Sequence, residues 1–132
     1  MNEALCEYRI QNAKEKLAAA KVLYENGHYK DSISRSYYAM FSSARALLAT
    51  KGLDSSKHSG VISLFNQHFV KTEIVDKTSG KKLAIAKDMR EDGDYKDFMI
   101  VSREEAEMQI NEAEKIIEEI EKVLNELKRK KI

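Results

Sequence analysis

The sequence contains no proline and no tryptophan, a single cysteine, five glycines and no long apolar run. Each shortage excludes something. An average chain carries about 5% proline, so its absence suits helices joined by short turns. A lone Cys6 rules out a disulfide framework and leaves no cysteine cluster to hold zinc. No stretch approaches the roughly 18 apolar residues of a membrane span. Met1 to Leu5 lacks a basic flank followed by an apolar run, so no signal peptide is expected and the cytoplasm is the expected location. The histidines are His28, His58 and His68, with no i,i+4 pair, so no metal site is expected. There is no Gly-rich phosphate loop either, which excludes a P-loop or Rossmann nucleotide site, and no cofactor is expected.

What is present fits one domain over residues 1–132, at about 100–200 residues per domain. Twenty-three Lys and Arg stand against 22 Asp and Glu, a net charge of +1. Bulk charge therefore draws the chain to neither nucleic acid nor a membrane, and any such attraction is local.

Helical spacing of Leu17, Ala20, Leu23 and Tyr24 predicts a first helix over Glu3 to Glu25, stopped at Asn26-Gly27. A second is predicted from Tyr29 to Lys51, stopped at Gly52. The polar stretch Asp54 to Ser59 reads as a loop, with Ser59 as a candidate N-cap, followed by a helix from Gly60 to about Val70. Ser79-Gly80 reads as a break, Lys81 to Arg90 as a helix and Glu91 to Asp94 as a turn. Tyr95 to Val101 is apolar enough to pack on the bundle. Ser102 and Glu105 form a capping-box pattern. Beyond them Ala106, Ile110, Ala113, Ile117, Ile120, Leu124 and Leu127 alternate steps of four and three, a heptad stripe. That stripe suits a helix packed on its own bundle, or a seam shared with a second copy. Nine acids against three bases from Arg103 to Glu126, then four bases from Lys128 to Lys131, place cations at the negative end of the helix dipole. The fold class is all-α: an up-and-down antiparallel bundle of four to five helices.

The second helix has three faces. Ile33, Tyr37, Phe41, Ala44 and Leu48 fall within an arc of about 80° and form core. Ser32, Ser36, Ala39, Ser43 and Ala46 are small, so another helix can approach closely. Arg35, Tyr38, Ser42, Arg45 and Ala49 line the third face. Guanidinium groups suit phosphate, and a tyrosine ring suits base stacking. The competing explanation is that Arg35 and Arg45 pair with acids of the last helix.

The runs Ser34-Arg35-Ser36-Tyr37-Tyr38-Ala39-Met40-Phe41 and Ala44-Arg45-Ala46-Leu47-Leu48, with Lys57 to Val70 and Met89 to Tyr95, resemble a subfamily of small prokaryotic HEPN-domain proteins. The resemblance covers nearly the whole chain. It implies an up-and-down bundle that often forms a homodimer and is frequently paired with a small nucleotidyltransferase. It also implies a toxin–antitoxin role, since many HEPN domains are metal-independent ribonucleases and some are toxins. Their activity goes with an arginine followed, after four to six residues, by histidine. Here those positions hold Met40, Phe41 and Ser42 after Arg35, and Tyr95, Lys96 and Asp97 after Arg90. Tyr95 keeps the spacing, but a phenol of reference pKa about 10 is a poor base at neutral pH.

The candidate phosphate-binding residues are Arg35, Tyr38, Ser42, Arg45, Lys57, His58, Arg90, Asp94 and Tyr95. Arg35, His58 and Arg90 are also candidate catalytic groups. Asp94 is equally suited to a local pair with Arg90. Lys57 and His58, in the polar loop just ahead of a helix, suit a phosphate, the alternative for His58 being a solvent-exposed loop residue; His68, between Phe65 and Phe69, is expected to be half-buried. Three readings follow: a module binding RNA, nucleotide or a nucleotidyltransferase partner; a metal-independent endoribonuclease with a divergent site; or a self-associating structural bundle.

Overall fold

The computed structural model describes residues 2–130 and contains five α-helices among them. Helix α1 spans Glu3–Glu25 and α2 spans Tyr29–Thr50. The Asn2 side chain accepts the Leu5 amide and caps α1. The hairpin between the two helices is closed by the sequence's own stop. His28 N–H reaches the Leu23 carbonyl at 2.8 Å and Gly27 N–H the Tyr24 carbonyl at 3.1 Å. This paired pattern needs a left-handed residue, which Gly27 supplies at φ +79°. The end of α2 repeats it: Leu53 N–H bonds to Leu48, Gly52 N–H to Ala49, and Gly52 has φ +66°.

Helix α2 is central. Its core face, Ile33, Tyr37, Phe41, Ala44 and Leu48, is buried as expected, and so is the whole small-residue face from Ser32 to Ala46. The closest approach is visible at Ser32, whose hydroxyl donates 2.8 Å to the Ala20 carbonyl on α1.

Helix α5, Arg103–Arg129, begins with the expected capping box, Ser102 and Glu105 bonding reciprocally to each other's backbone amides. All of its heptad stripe from Ala106 to Leu124 is buried within the bundle, together with Ile116 and Val123. The seam is therefore used inside the chain. Three ion pairs fix α5 antiparallel to α1: Lys14–Glu121, Lys21–Glu114 and Lys128–Glu7, at 2.8, 2.6 and 3.7 Å.

Between these lie α3, His58–Phe65, a five-residue π-helical turn, Asn66–Val70, and α4, Lys77–Tyr95. Several expectations are corrected here. The residue at the α3 N-cap is Lys57, not Ser59, and its side chain makes no capping bond. Ser79-Gly80 is no break: Asp76 caps α4 by accepting the Thr78 amide, and both residues are buried in its first turn. Ser79 Oγ donates 2.5 Å to Glu119 of α5. Glu91 to Asp94 is no turn either, because α4 continues through it to Tyr95. The two glycines serve close packing. A Cβ at Gly80 would lie 2.6 Å from Asn66 Oδ1, and one at Gly93 3.2 Å from Lys30 Cγ. Of the Tyr95 to Val101 segment, Val101 does pack, beside Ile33 and Ala106. Tyr95, Phe98 and Ile100 do not, being 79%, 99% and 85% exposed.

Candidate functional site

The polar face of α2 meets the start of α3 and the second half of α4. His58, the first residue of α3, fills this junction. Its ring stacks on Phe41 at 4.2 Å between centroids and meets the Tyr38 ring edge-on at 5.8 Å. Its Nδ1 lies 2.9 Å from the Tyr37 hydroxyl. From the other side, the Arg90 guanidinium lies 5.0 Å from the centre of the Tyr38 ring, and its Nη2 pairs with Asp94 at 3.2 Å. The local Arg90–Asp94 pair is thus formed. Arg90 Nε is buried without a hydrogen-bond partner.

These neighbours set the proton affinities. Burial, then the positive charges of Arg90 and Lys87, push the His58 imidazole below its ordinary value; Arg45 adds to this and Glu91 opposes it. Burial likewise holds the Tyr37 phenol far above the ordinary phenol range, with Tyr38 adding and Arg90 opposing. At neutral pH the junction therefore contains an uncharged imidazole, an un-ionised phenol and a guanidinium.

Beside His58 an open cleft of about 560 Å³ is lined by Phe41, Arg45, Asp54, Ser55, Ser56 and His58. Arg45 holds Asp54 bidentately, Nη2 at 2.8 Å from Oδ2 and Nε at 3.3 Å from Oδ1. Arg9 of α1 reaches the same Oδ2 at 3.1 Å and donates to the Arg45 carbonyl at 3.0 Å. The Arg45 hydrogen bond, the Ser55 amide and the two guanidinium charges together hold the Asp54 carboxyl below the usual carboxylate range, against partial burial. Two arginines on one carboxylate leave the cleft one positive charge in excess. The pairing of Arg45 with acids of the last helix is corrected: its acid comes from the α2–α3 loop, while the α5 acids take lysines of α1.

The structure brings Tyr38, Arg45, His58, Arg90 and Asp94 to one region, with Ser42 half-buried on the same helix and Lys57 exposed at the α3 N-cap. Arg35 stands apart. It lines a second, smaller depression with Leu23, Asp31, Ser34 and Tyr38, and makes no ion pair among the described residues. Tyr38 lines this depression and meets, edge-on, the His58 ring that lines the cleft. Tyr95 stands outside, at the exposed end of α4. His68 is half-buried, as expected. Among the described residues no group of three or more His, Cys, Asp or Glu is placed to hold a metal ion, and no helix is long and apolar enough to cross a membrane.

Two participants escaped the sequence reading. Arg9 shares a helical face with Cys6, Ile10 and Ala13, and a basic residue on that inward face was a readable signal. Tyr37 was read only as core; nothing in its spacing reports where its hydroxyl points.

A helical bundle built around this central helix is the architecture expected of HEPN domains, and the HEPN domain family model matches residues 6–123. The chain belongs to the HEPN-domain family. Among its relatives, a Methanocaldococcus jannaschii protein named "Putative toxin MJ0605" is 43% identical over 86 residues, 65% of this chain and 64% of the relative. The UPF0332 protein PH1297 of Pyrococcus horikoshii is 48% identical over 77 residues, 58% of this chain and 54% of the relative. A UPF0332 protein of Thermotoga maritima is 44% identical over 93 residues, 70% of each chain. The matched stretch thus spans little more than half to under two thirds of the first two relatives.

Proposed function

We propose that this chain is a toxin-type HEPN module that binds single-stranded RNA across the face formed by α2, α3 and α4. The observation that carries this reading is the setting of Tyr38, with a guanidinium over its face, an imidazole against it and the Arg45 cleft alongside. Cationic groups beside a ring suit a phosphodiester next to an unstacked base: phosphate contacts supply affinity and the ring supplies sequence-tolerant stacking. A free nucleotide satisfies the same chemistry with fewer phosphates, and so more weakly. The toxin character draws on the name of the Methanocaldococcus relative. The family resemblance supports a homodimer acting with a small nucleotidyltransferase as its partner, and the cytoplasm is the location we propose for it.

The test is fluorescence anisotropy of labelled single-stranded RNA in the presence of a chelator. Binding is expected to weaken with salt and with Arg90→Ala and Arg45→Ala, and to be unchanged by Lys14→Ala, which lies on α1. No binding, or equal losses for all three variants, refutes the reading. Co-purification of the native protein tests the nucleotidyltransferase, and light scattering tests the dimer.

One observation favours a second reading, a metal-independent ribonuclease. Arg90 and His58, which lack the family spacing in sequence, flank the same tyrosine ring in space. In that reading Arg90 steadies the phosphate and His58 moves the proton. Cleavage of RNA in chelator that is lost in both Arg90→Ala and His58→Ala supports it; intact RNA removes it.

A further inference from the structure

The Tyr37–His58 hydrogen bond constrains what His58 can do, and the argument rests on the RNA-binding reading above. Tyr37 has no solvent exposure, and its hydroxyl has one hydrogen-bond partner among the described residues, His58 Nδ1 at 2.9 Å. A buried O–H that cannot donate is costly, because its lost bond to water goes unreplaced. The phenol is satisfied as a donor only if Nδ1 is a bare acceptor. The ring proton must then sit on Nε2. That nitrogen has no protein partner among the described residues, and its ring lines the Arg45 cleft.

We infer that Tyr37 is a positioning residue that locks His58 in the neutral tautomer protonated at Nε2, so that His58 meets a phosphodiester as an uncharged hydrogen-bond donor and not as a base. Protonating the imidazole would place a hydrogen on Nδ1, facing the phenol hydrogen, and the Tyr37 hydroxyl would lose its only acceptor. The charged groups around the ring act in the same direction. Arg90 and Lys87 of α4 and Arg45 of α2 disfavour a second positive charge, while Glu91 of α4 opposes them. Lys57 precedes His58 on the chain, and the Asp54 carboxylate across the cleft is occupied by two guanidinium groups. Stacking on Phe41 fixes the ring plane. A base in this position would need a free lone pair on Nε2, which the locked tautomer lacks. The inference therefore favours RNA binding over RNA cleavage by His58.

Two measurements test it. The first is nitrogen-15 NMR of the His58 ring in the wild-type protein without RNA. The expected signature at neutral pH is an acceptor Nδ1 and a protonated Nε2. A proton on Nδ1, an exchanging mixture or an imidazolium overturns the inference, whatever RNA does. In Tyr37→Phe the ring is expected to become a tautomer mixture and to titrate closer to its ordinary value of about 6.5; an unchanged ring overturns the role of Tyr37. Should Tyr37→Phe not fold, the wild-type spectrum still decides. The second measurement is RNA binding by His58→Gln and His58→Ala. Glutamine keeps a neutral N–H donor, so His58→Gln is expected to bind within about threefold of wild type, and His58→Ala about tenfold more weakly. Equal losses in both refute the donor role. An RNA that does not bind the wild type refutes the RNA-binding reading, and the donor role with it, while the ring spectrum still reports the lock.

Discussion

Arg9 and Arg45, 36 residues apart on two helices, share one carboxylate oxygen of Asp54, at 3.1 and 2.8 Å. Their situations differ. Arg9 is buried and also holds the Arg45 carbonyl, whereas Arg45 borders the open cleft. Arg9 ties α1 to the α2–α3 loop; Arg45 is the half of the pair that a ligand can reach.

Arg9→Ala is therefore expected to act on stability. It removes charge-assisted bonds to the Asp54 carboxylate and to the Arg45 carbonyl, a loss of about 1–3 kcal/mol. Urea unfolding measures it, and an unchanged midpoint counts against the assignment.

Asp54→Asn is expected to have opposite effects on stability and binding. It weakens the link between α1 and the loop, yet releases Arg45 and adds one positive charge to the cleft. RNA is expected to bind several-fold tighter at low salt, with a log–log salt slope steeper by about 0.7, the value for one further phosphate contact on a single strand. Weaker binding at every salt concentration would contradict the placement of Arg45 in the site.

Stability should respond to acid in two windows. Folded His58 takes up a proton less readily than the unfolded chain, so its contribution is complete above about pH 6.5 and is lost as pH falls below that. Asp54, also depressed, contributes fully above about pH 4 and loses its contribution as pH falls further. His58→Gln should flatten the first window and leave the second. Urea midpoints collected from pH 8 to pH 3 check both.

The two glycines of α4 should respond differently to alanine. At Gly93 the added methyl meets the flexible stem of Lys30, which can move, and alanine favours the helix by up to about 1 kcal/mol. Gly93→Ala is expected to be neutral or mildly stabilising. At Gly80 the methyl meets Asn66 Oδ1 at 2.6 Å and Val70 at 3.2 Å, both on the π-helical turn. Gly80→Ala is expected to cost about 1–3 kcal/mol through overpacking. Thermal unfolding of the pair decides it.

Much of the bundle was legible because its signals are local. The glycine stops after α1 and α2, the heptad stripe and the Ser102 capping box depend on residues within a few positions of each other, and all stand in the structure. Gly80 and Gly93 were misread for a physical reason. A missing Cβ serves a tight turn and a close helix contact equally well, and only the neighbour across the gap tells them apart. Asp94 beside Gly93 strengthened the wrong reading, since both residues favour turns. At the site, the polar face of α2 was visible as a helical arc, but its partners were not. The acid for Arg45 comes from a loop nine residues on, and the acceptor for Tyr37 from another helix. Such pairings depend on how elements dock, which periodicity does not encode.

Because α2 is buried along two faces and lines the cleft with its third, it has a genetic consequence. A screen that scores only loss of activity will gather α2 substitutions in which misfolding and failed recognition are indistinguishable. Alleles that separate the two are expected at the groups that reach solvent, Arg45 of α2, the Ser55–Lys57 part of the loop and the Arg90 end of α4. Their side chains can be exchanged without opening the core.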